Sequence, residues 1–128
     1  MKKSYLYYLI PTILFFAACK TNSPKEDPCK GVKTEAEAAQ TMFNNQMTDV
    51  RGTKLYEAIS NGGSNGYLAA CNGDTLATGL YIIECNPGVP DEIKAEGKLF
   101  SEAKDTRDIT LPNAQQQVIE CQAQNPEN

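Results

Sequence analysis

The sequence predicts a small all-α bundle held together by disulfides. Three observations point there. Apolar residues after Lys33 recur three and four positions apart on single faces, as one side of a helix requires. Capping residues or prolines stand ahead of several of these runs. The apolar content is also thin: Leu, Ile, Val and Phe make 17 of the 95 residues after Lys33. Domains with so little core commonly add covalent staples. Cysteines at 29, 71, 85 and 121 can supply them.

The first helix is expected in "KTEAEAAQTMFNNQMTDVRG". Thr34 followed by Glu37 has the spacing of a capping box, and Ala36, Ala39, Phe43, Met47 and Val50 form its apolar face. Gly52 ends or bends it. "TKLYEAIS" continues with Leu55, Tyr56 and Ile59, and "NGGSNG" (61–66) then breaks the chain. "YLAACNGDTLATGLYIIEC" reads two ways. Leu76, Leu80 and Ile83 keep helical spacing behind a candidate N-cap, Asp74. Asn72-Gly73 could instead close a hairpin into the β-prone "GLYIIEC". Helix is the preferred reading, and α+β with one hairpin at 67–85 is the alternative. Pro90 and Asp91 start a segment with Ile93, Leu99, Phe100 and Ala103 on one side, helical despite Gly97. Pro112 suits the first turn of a last helix, whose face is Ala114, Val118 and Cys121 before Asn125-Pro126 stops it.

Residues 1–33 have a different character. Lys2 and Lys3 precede the uncharged "YLYYLIPTILFFAA", 14 residues long and interrupted by Pro11. A helix needs about 20 apolar residues to cross a bilayer core. A basic head, a short apolar run and small residues before a boundary describe a secretory signal, here residues 1–18. The boundary Phe16-Ala17-Ala18-Cys19 resembles the lipobox of bacterial lipoproteins, with Phe16 where Leu is usual. That resemblance implies cleavage between Ala18 and Cys19, and lipid attachment, palmitate included, on the Cys19 sulfur. Several acyl chains at about 0.8 kcal/mol per buried CH₂ give stable anchoring where one chain gives reversible binding. Residues 19–33, "CKTNSPKEDPCKGVK", read as a flexible tether. Its Lys25-Glu26-Asp27 is similar to an export tag of surface lipoproteins, though placed further from the lipid cysteine. The helical domain is then expected over 34–128.

Charge is uneven along the mature chain. Removing Lys2 and Lys3 leaves ten basic and sixteen acidic residues, net −6, and residues 34–128 alone carry −8. Such a body lacks the basic footprint of a nucleic-acid binder. No histidine is present, which excludes serine-histidine and cysteine-histidine catalysis and histidine-ligated zinc or haem. There is no Gly-rich phosphate loop and no Cys-x-x-Cys, and neither "NGGSNG" nor "NGD" has the spacing of an EF-hand loop. The expectation is no enzyme, no cofactor and no metal site.

With Cys19 assigned to lipid, the count of remaining cysteines becomes even, as a disulfide framework in an exported chain requires. Four cysteines allow three pairings. If successive segments alternate direction, Cys29 and Cys71 lie at one end and Cys85 and Cys121 at the other. That favours Cys29–Cys71 with Cys85–Cys121, whereas the hairpin alternative favours Cys71–Cys85. The loose lipobox, the length and these four cysteines together resemble small four-cysteine lipoproteins of spirochaetes. What the resemblance implies is an outer-membrane location, periplasm-facing or at the cell surface, and an interaction role with a protein partner. A binding module should expose an aromatic patch, for which Tyr56, Tyr67 and Tyr81 are the candidates. The rival is a structural envelope component without a specific ligand.

Overall fold

The computed structural model describes residues 25–126, so the signal, the lipobox and Cys19 lie outside it. The described residues form six α-helices and one π-helical turn: α1 (Lys30–Arg51), α2 (Lys54–Ser60), α3 (Asn65–Ala70), α4 (Thr75–Cys85), α5 (Asp91–Asp105), the π turn (Thr106–Thr110) and α6 (Leu111–Gln124). No strand occurs among them, so the hairpin at 67–85 gives way to a pair of helices. The fold is all-α and carries a disulfide.

α1 starts earlier than its expected capping box. Asp27 accepts the backbone N–H of Cys29 at 2.9 Å, and the helix begins at Lys30. Thr34 therefore sits one turn inside the helix, where its hydroxyl donates to the Lys30 carbonyl at 2.9 Å rather than capping. Lys30–Lys33, read as tether, is helical. α2 is capped from two sides. Thr53 Oγ1 accepts from Tyr56 N–H at 3.1 Å, and Glu96 of α5 accepts from Lys54 N–H and Leu55 N–H at 3.1 and 2.8 Å. These are orphan donors of a helix start, so Glu96 ties α2 to α5 through the backbone.

Asn72-Gly73 turns the chain between two helices rather than two strands. Both residues have left-handed backbones, φ 55° and 78°, and Gly73 N–H donates to the Leu68 carbonyl at 2.8 Å, closing α3 in a Schellman turn. Asp74 then caps α4 as expected, accepting from Leu76 N–H and Ala77 N–H at 3.1 and 3.2 Å.

The largest departure from expectation is at Pro112. Pro112 stands in the first turn of α6 as expected, but a proline removes one N–H and crowds the carbonyl four residues earlier, and a reversal of the chain is expected ahead of it. Instead the backbone stays helical from α5 through α6, with φ −62° at Thr106 and −64° at Leu111. The π turn just ahead of the proline absorbs the mismatch: Leu111 N–H reaches back five residues to the Thr106 carbonyl. Asp91 to Gln124 is one rod. It runs antiparallel to α1 and brings Cys121 to Cys29, where the two are disulfide-bonded with Cα atoms 5.8 Å apart.

α1 and the rod differ in length, which divides the molecule into a stem and a head. In the stem, α6 packs on α1 and on its own π turn. In the head, α2, α4 and the first part of the rod surround Val50 at the end of α1. Val50, Leu55, Ile59, Leu76, Phe100 and Ala103 make the buried cluster. Phe100 is fully buried and lies directly against Gly79 in α4. A Cβ at Gly79 would penetrate the Phe100 ring, and one at Gly97 would come within 2.7 Å of Ile83 Cδ1. The two glycines thus let α4 and α5 approach closely, at a cost in helix propensity of about 1 kcal/mol each.

Arg107, in the π turn, holds the head to the rod. Its guanidinium makes two hydrogen bonds to Asp74, 2.8 and 2.7 Å, and further ones to Asp108. Asp74 therefore serves both the α4 N-terminus and Arg107. The Arg107 hydrogen bonds, and secondly the Ala77 and Leu76 N–H groups, hold its carboxyl below the usual carboxylate range.

Two outcomes follow from this packing. Gly79→Ala should lose stability, about 1–3 kcal/mol from overpacking, with the urea midpoint as the measurement. Gly97→Ala should cost less, because the Ile83 methyl can swing aside. For Asp74 the folded pKa is depressed, so its contribution is complete above the unfolded value of about 3.9 and is lost as pH falls through the lower folded value. The thermal midpoint should drop on acidification below about pH 4. Asp74→Asn should flatten that drop and lower stability at neutral pH by about 1 kcal/mol, as suits a partly exposed pair.

Candidate functional site

α3 and α4 fold back on each other across the Asn72-Gly73 turn, and this brings two of the three candidate tyrosines together. Tyr67 and Tyr81 meet edge to face, ring centroids 5.8 Å apart and planes at 67°. Tyr56 instead packs half-buried against the core cluster. The Tyr67 hydroxyl lies between the amide atoms of Asn86, 3.1 Å from Nδ2 and 3.3 Å from Oδ1, and Asn86 Nδ2 also donates to the Ile82 carbonyl at 2.8 Å. Tyr67 is thereby fixed, while Tyr81 stays 40% exposed. Beside the pair runs an open groove of about 310 Å³, lined by Gly63, Ser64, Gly66, Tyr67, Ala70 and Tyr81. The glycines leave the floor without side chains, and none of the six lining residues is charged. Groups of this kind can stack and exchange hydrogen bonds with an uncharged ligand.

The remaining cysteines flank this aromatic pair. Cys71 and Cys85 are free thiols, the first half-buried and the second exposed. Cys85 pushes the Tyr81 phenol above its ordinary value, and Cys71 and Tyr67 act in the same direction. The expected bridges Cys29–Cys71 and Cys85–Cys121 are not formed. Their derivation needed the chain to reverse before Pro112, and the unbroken rod removes that reversal. Cys71 and Cys85 do not pair either, because the length of α4, about 16 Å, runs between them. A bridge needs Cα atoms within roughly 7 Å.

Asn86, Ser64 and the two groove glycines were not foreseen as site residues. The sequence signal that was present marks the tyrosines and thiols instead: "YLAAC" and "YIIEC" each place Tyr and Cys four apart, one on either side of the Asn72-Gly73 turn.

A larger cavity, about 530 Å³, lies at the opposite end beside the disulfide, lined by Lys25–Cys29, Lys33, Gln122 and Asn125. Two of its charged residues pair with each other, Lys33 bridging to Asp27 at 2.6 Å. The Lys33 hydrogen bond, and next the Cys29 N–H, hold the Asp27 carboxyl below its usual range. It is where the chain entering α1 clips onto the end of α6. Among the described residues no cluster of three or more His, Cys, Asp or Glu could hold a metal ion, and no helix is long and apolar enough to cross a membrane.

With Cys19 blocked or replaced, the native protein should offer two thiols to a maleimide, Cys85 reacting faster than Cys71. Non-reducing peptide mapping should return Cys29 linked to Cys121, and a Cys71–Cys85 peptide would contradict the α3–α4 packing. No family model matches the chain, and neither a curated protein nor a solved structure is detectably similar to it.

Proposed function

We propose that the protein is an envelope-anchored binding module, held to the membrane through lipid on Cys19 and presenting the Tyr67–Tyr81 groove to an uncharged ligand. One observation carries the reading: an exposed tyrosine is braced by a second over an uncharged glycine floor, which is the aromatic patch a binding module needs. The ligand class that suits it has an apolar face to lie on Tyr81 and hydroxyl or amide groups for the Ser64 hydroxyl and the exposed polar edges. A neutral saccharide meets both conditions. The reading assigns no catalytic role to any residue, and it leaves the outer membrane as the location implied by the lipobox resemblance.

Two experiments test it. The full chain expressed in a lipoprotein-processing bacterium should enter the detergent phase of a Triton X-114 extract, and Cys19→Ser should move it to the aqueous phase. Retention of Cys19→Ser in the detergent phase ends the anchor. The groove is tested with triacetylchitotriose as probe, following the heat of binding by titration calorimetry. A saturable change is expected, abolished by Tyr81→Ala and largely kept by Tyr81→Phe. A flat titration, or one indifferent to Tyr81→Ala, removes the saccharide reading and favours the structural envelope component.

A further inference from the structure

Three Asn-Gly dipeptides, Asn61-Gly62, Asn65-Gly66 and Asn72-Gly73, fall between α2 and α4, and every one of these residues is exposed. Such a pair can modify itself. The glycine nitrogen, having lost its proton, attacks the carbonyl carbon of the asparagine side chain. A C–N bond forms to close a five-membered imide, the bond to Nδ2 breaks, and ammonia leaves. Water then opens the imide at one of its two carbonyls, giving aspartate or isoaspartate. Glycine carries no Cβ to hinder the approach. Two things hold the reaction back: a hydrogen bond that retains the glycine N–H, and a backbone that cannot swing the carboxamide onto that nitrogen.

Two of the three sites are protected. Gly73 N–H donates to the Leu68 carbonyl at 2.8 Å, and the flanking Asn72 and Asp74 N–H groups donate to Ala69 and Cys71, each at 3.1 Å. That turn is pinned on both sides. Asn65 is the first residue of α3, so its backbone is held helical. Its carboxamide lies back over Gly62, 3.8 Å from where a Cβ would stand there. Asn61 is different. It follows the last turn of α2, its own N–H bonded to the Glu57 carbonyl at 2.9 Å, but among the described residues its side chain meets no hydrogen-bond partner. Gly62 N–H reaches the Ile59 carbonyl only at 3.3 Å, beyond the roughly 2.7–3.2 Å of an ordinary N–H···O bond. Gly62 and Gly63 come next, and no helix resumes before Asn65. One long bond is all that opposes rotation between Asn61 and Gly62.

We propose that Asn61 is a site of spontaneous deamidation, selected over Asn65 and Asn72 by the fold. The product places a carboxylate in a stretch that has no charge from Ala58 through Gly73. The isoaspartate form also inserts a methylene into the main chain just ahead of Gly63 and Ser64, which line the groove beside Tyr81. The loop that supplies part of an uncharged groove thus gains a negative charge as the protein ages. The modification stands on the loop alone, and only its effect on a ligand rests on the binding reading above.

Ageing the full chain at mildly alkaline pH tests this, with peptide mapping by mass spectrometry and enzymatic methylation of isoaspartate as the two readouts. In the folded protein residue 61 should convert several-fold faster than residues 65 and 72. In urea with the disulfide reduced, the three should convert at similar rates, because only the shared Asn-Gly sequence then remains. Asn61→Gln should remove most of the isoaspartate formed by the folded chain. Conversion of Asn65 or Asn72 ahead of Asn61 overturns the proposal, as do equal rates at all three in the folded protein. So does a folded chain that stays intact at residue 61 while the unfolded chain converts there. The map reads residue 61 directly, so it decides the site whether or not triacetylchitotriose binds the groove.

Discussion

Continuity of the backbone across Pro112 is the constraint from which the rest of the architecture follows. A proline inside a helix normally breaks or kinks it at a cost of about 3 kcal/mol. Here the chain widens by one residue over Thr106–Thr110, and the rod continues without a turn. The consequences are long-range. Cys121 arrives at Cys29 rather than Cys85, and the covalent link joins positions 92 residues apart. On the chain-entropy estimate such a loop is worth about 4.6 kcal/mol. The widened turn also aims Arg107 at Asp74, so the irregularity that rescues the rod creates the ion pair that docks the head.

The head shows how a chain with few large apolar residues can still close a core. Its centre is one phenylalanine set against a glycine backbone, with Val50, Leu55, Ile59, Leu76 and Ala103 around it. Close approach of helices substitutes for bulk. The surrounding bonds are polar and directional: Glu96 on the α2 N–H groups, Asp74 on those of α4, Arg107 on Asp74. Each carboxylate meets a helix start, where unpaired N–H groups and the helix dipole favour negative charge. Part of the chain's acidic excess is therefore structural.

Much of this was legible in the sequence. The helices around Phe43, Leu55 and Phe100, the Asp74 cap and the break at Gly52 were all readable, because periodicity and capping are local. Of the break expected over 61–66, the part at 61–64 holds, while Asn65 and Gly66 open α3. What was not legible was non-local. Thr34 and Glu37 had the spacing of a helix start, but Asp27 and the bond to Cys121 fixed Cys29 and moved the start upstream. Pro112 does stand in the first turn of α6, but the sequence around it does not show that Thr106–Thr110 just ahead stays helical instead of reversing. The tyrosines were visible as a class. Which two would meet depended on the fold-back at Asn72-Gly73, and a hairpin there would have paired different residues.

The disulfide also decides how the molecule carries force. Tension applied through the residues before Cys29 reaches the first turn of α1 and, through the sulfur bridge, the last turns of α6 at the same time. The two helices are then drawn together by their shared end, and neither can be peeled from the other starting there. Rupture would have to begin in the head, where contacts are close but uncrosslinked, and the stem would remain fastened while the head opened. Reducing the bridge reverses that order. The load would then enter α1 alone, and the stem, whose buried apolar residues are Cys29, Ala39 and Leu111, would unzip first.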